Sequence, residues 1–112
     1  MSDINIFDYE DALSRALDDK DLLNELIQEL IKTIPENIES LEKFYQSKSV
    51  EDFLRTAHTM KGACSNLGAK SLAKTFNLIE NIAKENNFTQ YVPLKNQLIQ
   101  DFDAFKNYVA NM

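Results

Sequence analysis

A chain of 112 residues with 44% apolar content has enough material to bury one modest core and too little for two, so it reads as a single ordered domain spanning residues 1–112. Its net charge of −6 argues against nucleic acid as the main partner, because a phosphate backbone is met by a basic face. No apolar run approaches the roughly 20 residues needed to cross a bilayer, and the acidic opening MSDINIFDYE lacks the basic start and apolar stretch of a signal peptide.

Two glycines and two prolines leave too few turn residues for a sheet, which predicts an all-α fold. The single cysteine, Cys64, rules out an internal disulfide and fits a reducing, cytoplasmic setting. FDYEDALSRAL predicts a short first helix with Asp8 as N-cap and Asp11 in the first turn. DDKDLLNELIQELIKTIPENIESLEKFYQS is the longest segment. In it Leu23, Ile27, Leu30, Ile34, Ile38, Leu41 and Phe44 or Tyr45 recur in three- and four-residue steps as one stripe. Pro35 removes a backbone donor inside this stripe; the phase survives it, so a kink is expected rather than a division.

KSV marks the next break, and Glu51 or Asp52 favours a helix start after it. Val50, Phe53, Ala57, Met60, Cys64 and Leu67 share a face of the third helix, and Gly68 takes the left-handed position just past its end. The fourth helix, from about Lys70 to Asn86, is expected to bury Leu72, Phe76, Ile79, Ile82 and Ala83. NNFTQYVP reads as a loop with Pro93 in the first turn of the fifth helix, whose stripe is Leu94, Leu98, Phe102, Phe105 and Val109. Four long amphipathic helices with short connections bury their stripes most economically as an antiparallel four-helix bundle, with the short first helix across one end.

RTAHTMKGACSNLG, from Arg55 to Gly68, holds the only histidine and both glycines. At ~100° per residue His58 lies at the edge of its helix's core stripe, with Lys61, Gly62 and Ser65 stacked beside it and Leu54 one turn before. That grouping suits phosphate chemistry at the imidazole. A neutral ring nitrogen is a good nucleophile near pH 7, and Lys61 can offset the charge of a phosphoryl group. Gly62 withholds a side chain where a partner must approach, and Ser65 adds a small hydrogen-bonding group. A mid-helix glycine costs roughly 1 kcal/mol against alanine, so Gly62 needs either this role or tight packing against a neighbouring helix.

Between Asp52 and Glu80 the chain has no acidic residue yet carries Arg55, Lys61, Lys70 and Lys74, a basic island in an acidic protein that would steer an anionic partner. Leu54, Arg55, Thr59, Gly62, Lys70 and Lys74 make up the expected docking face. Glu80 flanks its own stripe as His58 does, so a carboxylate there can accept a ring N–H and leave the other nitrogen as nucleophile. Cys64 points to the core as a small apolar residue, and with no second histidine and no cysteine pair a zinc site is not expected.

AHTMKGACSNLG resembles the signature of histidine-containing phosphotransfer (HPt) domains, a histidine followed by Lys at +3, Gly at +4 and a helix-ending Gly at +10. FDYEDAL and DKDLLNELIQEL resemble the family's opening segments, and LAKTFNLIENIAKENN its next helix, so the likeness covers nearly the whole chain. The resemblance implies a phosphorelay intermediate. Such a protein accepts a phosphoryl group from a receiver-domain aspartate or a hybrid histidine kinase and passes it to a response regulator. It implies His58 as phospho-acceptor through the outward Nε2, Lys61 as the phosphate-stabilising cation and Gly62 as the access glycine. Glu80 falls where the family often has an acidic or amide residue near the imidazole. Mg²⁺ belongs to the receiver, so the chain is expected to bind no cofactor or metal itself and to be a monomeric carrier without autonomous catalysis. Two alternatives stay open: the acceptor domain of a larger, chemotaxis-type histidine kinase, and a helical adaptor that is not phosphorylated. A start at Met1 and an end just past the last helix favour a stand-alone protein, and intact His58, Lys61 and Gly62 disfavour the adaptor.

Overall fold

In a computed structural model, which describes residues 5–112, every regular element is helical: α1 (Tyr9–Arg15), α2 (Lys20–Gln46), α3 (Val50–Asn66), α4 (Lys70–Lys84) and α5 (Tyr91–Ala110). The first four residues of the acidic opening lie outside the described part. Asp8 caps α1 by accepting from the Asp11 N–H at 3.2 Å, and Asp19 caps α2 by accepting from the Leu22 N–H at 3.1 Å. Each cap satisfies one orphan donor of a helix N-terminus. α2 runs unbroken through Pro35, with Ile34 and Leu41 on either side both fully inside the core. The stripe therefore keeps its phase across the proline and the helix is not divided.

α3 packs chiefly against α4 and α2, and α4 against α5. The ends alternate. The Tyr91 hydroxyl at the start of α5 donates to Glu42 Oε1 near the end of α2 at 2.9 Å, and Thr75 of α4 donates to Asp101 of α5. Aromatic rings fill the end where α2 stops and α5 starts: Tyr45 stacks on Tyr91 at 4.1 Å, and Phe53 meets Phe88 edge-on at 5.1 Å. At the opposite end Phe7 packs edge-on against Phe105 at 5.7 Å, which lays the N-terminal segment across the molecule. The Asp8 N–H donates to the Gly68 carbonyl at 2.9 Å and holds that segment to the α3–α4 turn.

Some expected positions shift by a turn or by a class. Ile38, Val50, Ile82, Leu94 and Val109 are half-buried rather than core, because they sit at stripe edges or helix ends. α4 stops at Lys84 rather than Asn86, which adopts a left-handed φ of 51° and cannot continue a helix. α5 begins inside the expected loop, at Tyr91, so Pro93 is its third residue, where a missing N–H breaks no intrahelical bond. No helix among the described residues is long and apolar enough to cross a membrane.

Candidate functional site

α3 carries the core side chains Phe53, Ala57, Met60 and Cys64 on one face, which leaves the next position round from Ala57 at the rim of the α3–α4 seam. His58 occupies that rim with its side chain 67% exposed. The helix ends cleanly at Asn66, two residues before Gly68. Gly68 has φ 75°, its N–H donates to Ser65 O at 3.1 Å and the Ala69 N–H donates to Cys64 O at 2.9 Å. These paired bonds satisfy the last carbonyls of α3 and turn the chain straight into α4. A Cβ at Gly68 would lie 2.8 Å from the Asp8 carbonyl oxygen, so this glycine is fixed by shape as well as by φ.

The short turn brings Glu80 of α4 under the imidazole. Its Oε2 lies 2.6 Å from His58 Nδ1 and its Oε1 2.6 Å from Lys61 Nζ, and Lys84 Nζ stands 3.6 Å from Oε2. Glu80 is 2% exposed, and burial pushes its carboxyl upward. Contacts with Lys61 and His58, together with the charge of Lys84, outweigh burial and hold it below the usual carboxylate value. An ionised carboxylate only accepts, so the proton of the His58–Glu80 bond resides on Nδ1. In the neutral ring Nε2 then carries the lone pair on the far, exposed side. The arrangement presents an oriented imidazole nitrogen to solvent.

Gly62, one turn after His58, meets nothing within 4 Å of where a Cβ would be. Packing against another helix therefore does not explain it, and the surface beside the ring is open. Leu54 and Arg55 line a shallow groove with His58, Glu80, Lys84 and Glu51. Arg55 is also paired with Asp52 at 3.3 Å. Thr59 is exposed at the position of α3 that follows His58, and Ser65 is exposed about 10 Å further along the axis, out of reach of the imidazole.

The basic island divides. Lys70 sits at the far end of α4, 3.6 Å from Asp8, and Lys74 is exposed about 9 Å along α4 from Glu80. Neither lines the groove. Lys84 does, although it follows Glu80 and lies outside the acid-free stretch. Its signal was the four-residue step from Glu80, which puts the two on one helix face. Cys64 is fully buried and burial pushes its thiol up to about 12, so it is no nucleophile. No group of His, Cys, Asp or Glu that could hold a metal ion occurs among the described residues.

A family model described as Hpt domain matches residues 25–109. Among solved structures, the crystal structure of the HPT domain from an Hpt sensor hybrid histidine kinase of Shewanella aligns with a TM-score of 0.75 at 19% identity. The alignment covers 98% of this chain and 98% of that one. At such identity the likeness speaks for the fold. No curated protein matches the chain.

Proposed function

The chain belongs to the Hpt domain family, and from that premise we propose that it is a phosphoryl carrier in which His58 accepts a phosphoryl group from a receiver-domain aspartate or a hybrid kinase and hands it to a response regulator. The observation that carries the reading is the 2.6 Å bond from Nδ1 to a buried, ionised Glu80 on an otherwise exposed ring. In the forward step the Nε2 lone pair forms an N–P bond while the P–O bond of the aspartyl phosphate breaks, and that electron pair leaves on the aspartate oxygen. The ring, still protonated on Nδ1, becomes a phosphoimidazolium whose positive charge faces Glu80; the return step reverses these bonds. A divalent ion in the partner's acidic pocket would offset charge on the transferring group. This chain contributes nucleophile, orientation and access, and no autonomous catalysis.

The scaffold for this is read as one domain, an antiparallel four-helix bundle of α2–α5 with α1 across its end, acting as a monomer in the cytoplasm. Gly62 and Thr59 leave the approach to Nε2 low, and Leu54 and Arg55 form the near rim on which a receiver would rest. The same chemistry serves the domain alone or within a longer kinase chain. The test is transfer itself. Receiver domains phosphorylated with acetyl phosphate are mixed with the protein and Mg²⁺, and acid-labile phosphate on the chain is followed. Wild type should gain it and His58→Gln should not; equal labelling of the variant, or none of wild type across the receivers, defeats the proposal.

A further inference from the structure

Two lysines share Glu80, and they are held very differently. Lys61 Nζ is 2.6 Å from Oε1 and its side chain is 29% exposed, whereas Lys84 Nζ is 3.6 Å from Oε2 and its side chain is 56% exposed. Oε2 already receives His58 Nδ1 at 2.6 Å, so Lys84 is its second and outer partner. Withdrawing Lys61 would strip the nearest cation from a buried oxygen; withdrawing Lys84 would leave Oε2 with the imidazole.

Direction separates them further. Helical side chains lean toward the N-terminus of their own helix, so the ring of His58 reaches over the turn that holds Leu54 and Arg55. The α3–α4 hairpin sets Lys84 beside that same turn, and the groove is lined by Glu51, Leu54, Arg55, His58, Glu80 and Lys84, without Lys61. We propose that the two lysines divide the work: Lys61 stays as the fixed counter-charge of Glu80, and Lys84 is the cation released to a phosphoryl group on Nε2. The inference rests on His58 being the phospho-acceptor, and it moves the phosphate-facing role from the residue three positions after the histidine to one on the next helix.

The test loads the phosphoryl group without a partner, using phosphoramidate on wild type, Lys84→Gln, Lys84→Arg and Lys61→Gln, and follows the phosphoryl ionisation by ³¹P NMR titration. A nearby cation favours the dianion. Lys84→Gln should therefore raise the phosphoryl pKa by about 0.5 unit, the size of one exposed ion pair. Lys84→Arg should restore it and Lys61→Gln should leave it nearly unchanged. Melting of the unphosphorylated proteins is the second arm and needs no phosphoryl group. Lys61→Gln should lower Tm by about 5 °C, or prevent folding, while Lys84→Gln shifts it by no more than about 2 °C. A larger pKa rise in Lys61→Gln than in Lys84→Gln overturns the inference, as does an equal loss of Tm in both. Failure of receiver transfer with these results intact strikes only the carrier proposal.

Discussion

Glu80 concentrates the chemistry of the seam in one carboxylate, buried yet ionised and touched by His58, Lys61 and Lys84. Glu80→Gln keeps a hydrogen-bonding shape and loses the charge that holds the Nδ1 proton. Single-turnover transfer from a phosphorylated receiver should slow by about ten-fold, the usual effect of removing a group that orients a reacting imidazole. Because the folded carboxyl sits below its ordinary value of 4.5, its stabilisation is present above about pH 4.5 and is lost as pH falls through the folded value. Wild type should thus lose more Tm than Glu80→Gln between pH 6 and pH 3, measured by melting. Gly62 gives a cleaner separation of stability from function. Gly62→Ala meets only open space and should raise stability by about 0.5–1 kcal/mol, read as a higher Tm. Gly62→Gln should melt no lower than wild type while failing to accept phosphate from a receiver. His58, Lys61 and Gly62 are legible in the sequence because a fixed helical step maps them onto neighbouring positions, and Glu80 because it flanks the apolar stripe of its own helix as His58 does. Lys84 is not, since it lies beyond the acid-free stretch and shares its groove with residues of two helices.

Helices announce themselves through periodicity, as the four long ones do here, but their ends obey local backbone chemistry. Gly68 was readable as a cap because a left-handed residue after a periodic run has few alternatives. Its second constraint, the Asp8 carbonyl, belongs to a segment sixty residues away and leaves no trace in the local pattern. Gly68→Ala therefore meets both a strained φ and a clash, and should cost about 1–3 kcal/mol in a denaturant melt, with the α1 segment exchanging its amides faster. α5 starts two residues before Pro93, inside the expected loop, for a related reason. Pro93 marks a first turn without saying which of its positions it fills, and Tyr91 is drawn into the helix by burial between Tyr45 and Phe53.

Across the whole molecule, α2 and α5 meet less than the other long neighbours, and a polar clasp joins them. Glu42 accepts from the Tyr91 hydroxyl at 2.9 Å, from Lys95 at 2.7 Å and from Gln46 at 2.7 Å. Those bonds, Lys95 foremost, then Gln46 and Tyr91, hold its carboxyl down at about 2 against an ordinary 4.5. Its contribution is complete above about pH 4.5 and disappears as pH falls toward 2. Glu42→Gln should cost about 1 kcal/mol at neutral pH and flatten the acid limb of a stability–pH curve measured in urea. Nothing in the sequence pairs Glu42 with residues 49 and 53 positions later. Periodicity gives each helix its inward face but not its neighbour, so short connections alone suggest the order of packing and the clasp leaves no trace in the sequence.

The sealed position of Cys64 has a practical consequence for watching this protein at work. Its sulfur is fully buried and its thiol held up at about 12, so maleimide reagents find almost no thiolate to attack at neutral pH. A cysteine introduced on the rim, at Thr59 for instance, becomes the single reactive handle without deleting the native one. A fluorophore placed there would report docking beside His58 directly, in a background that needs no further engineering.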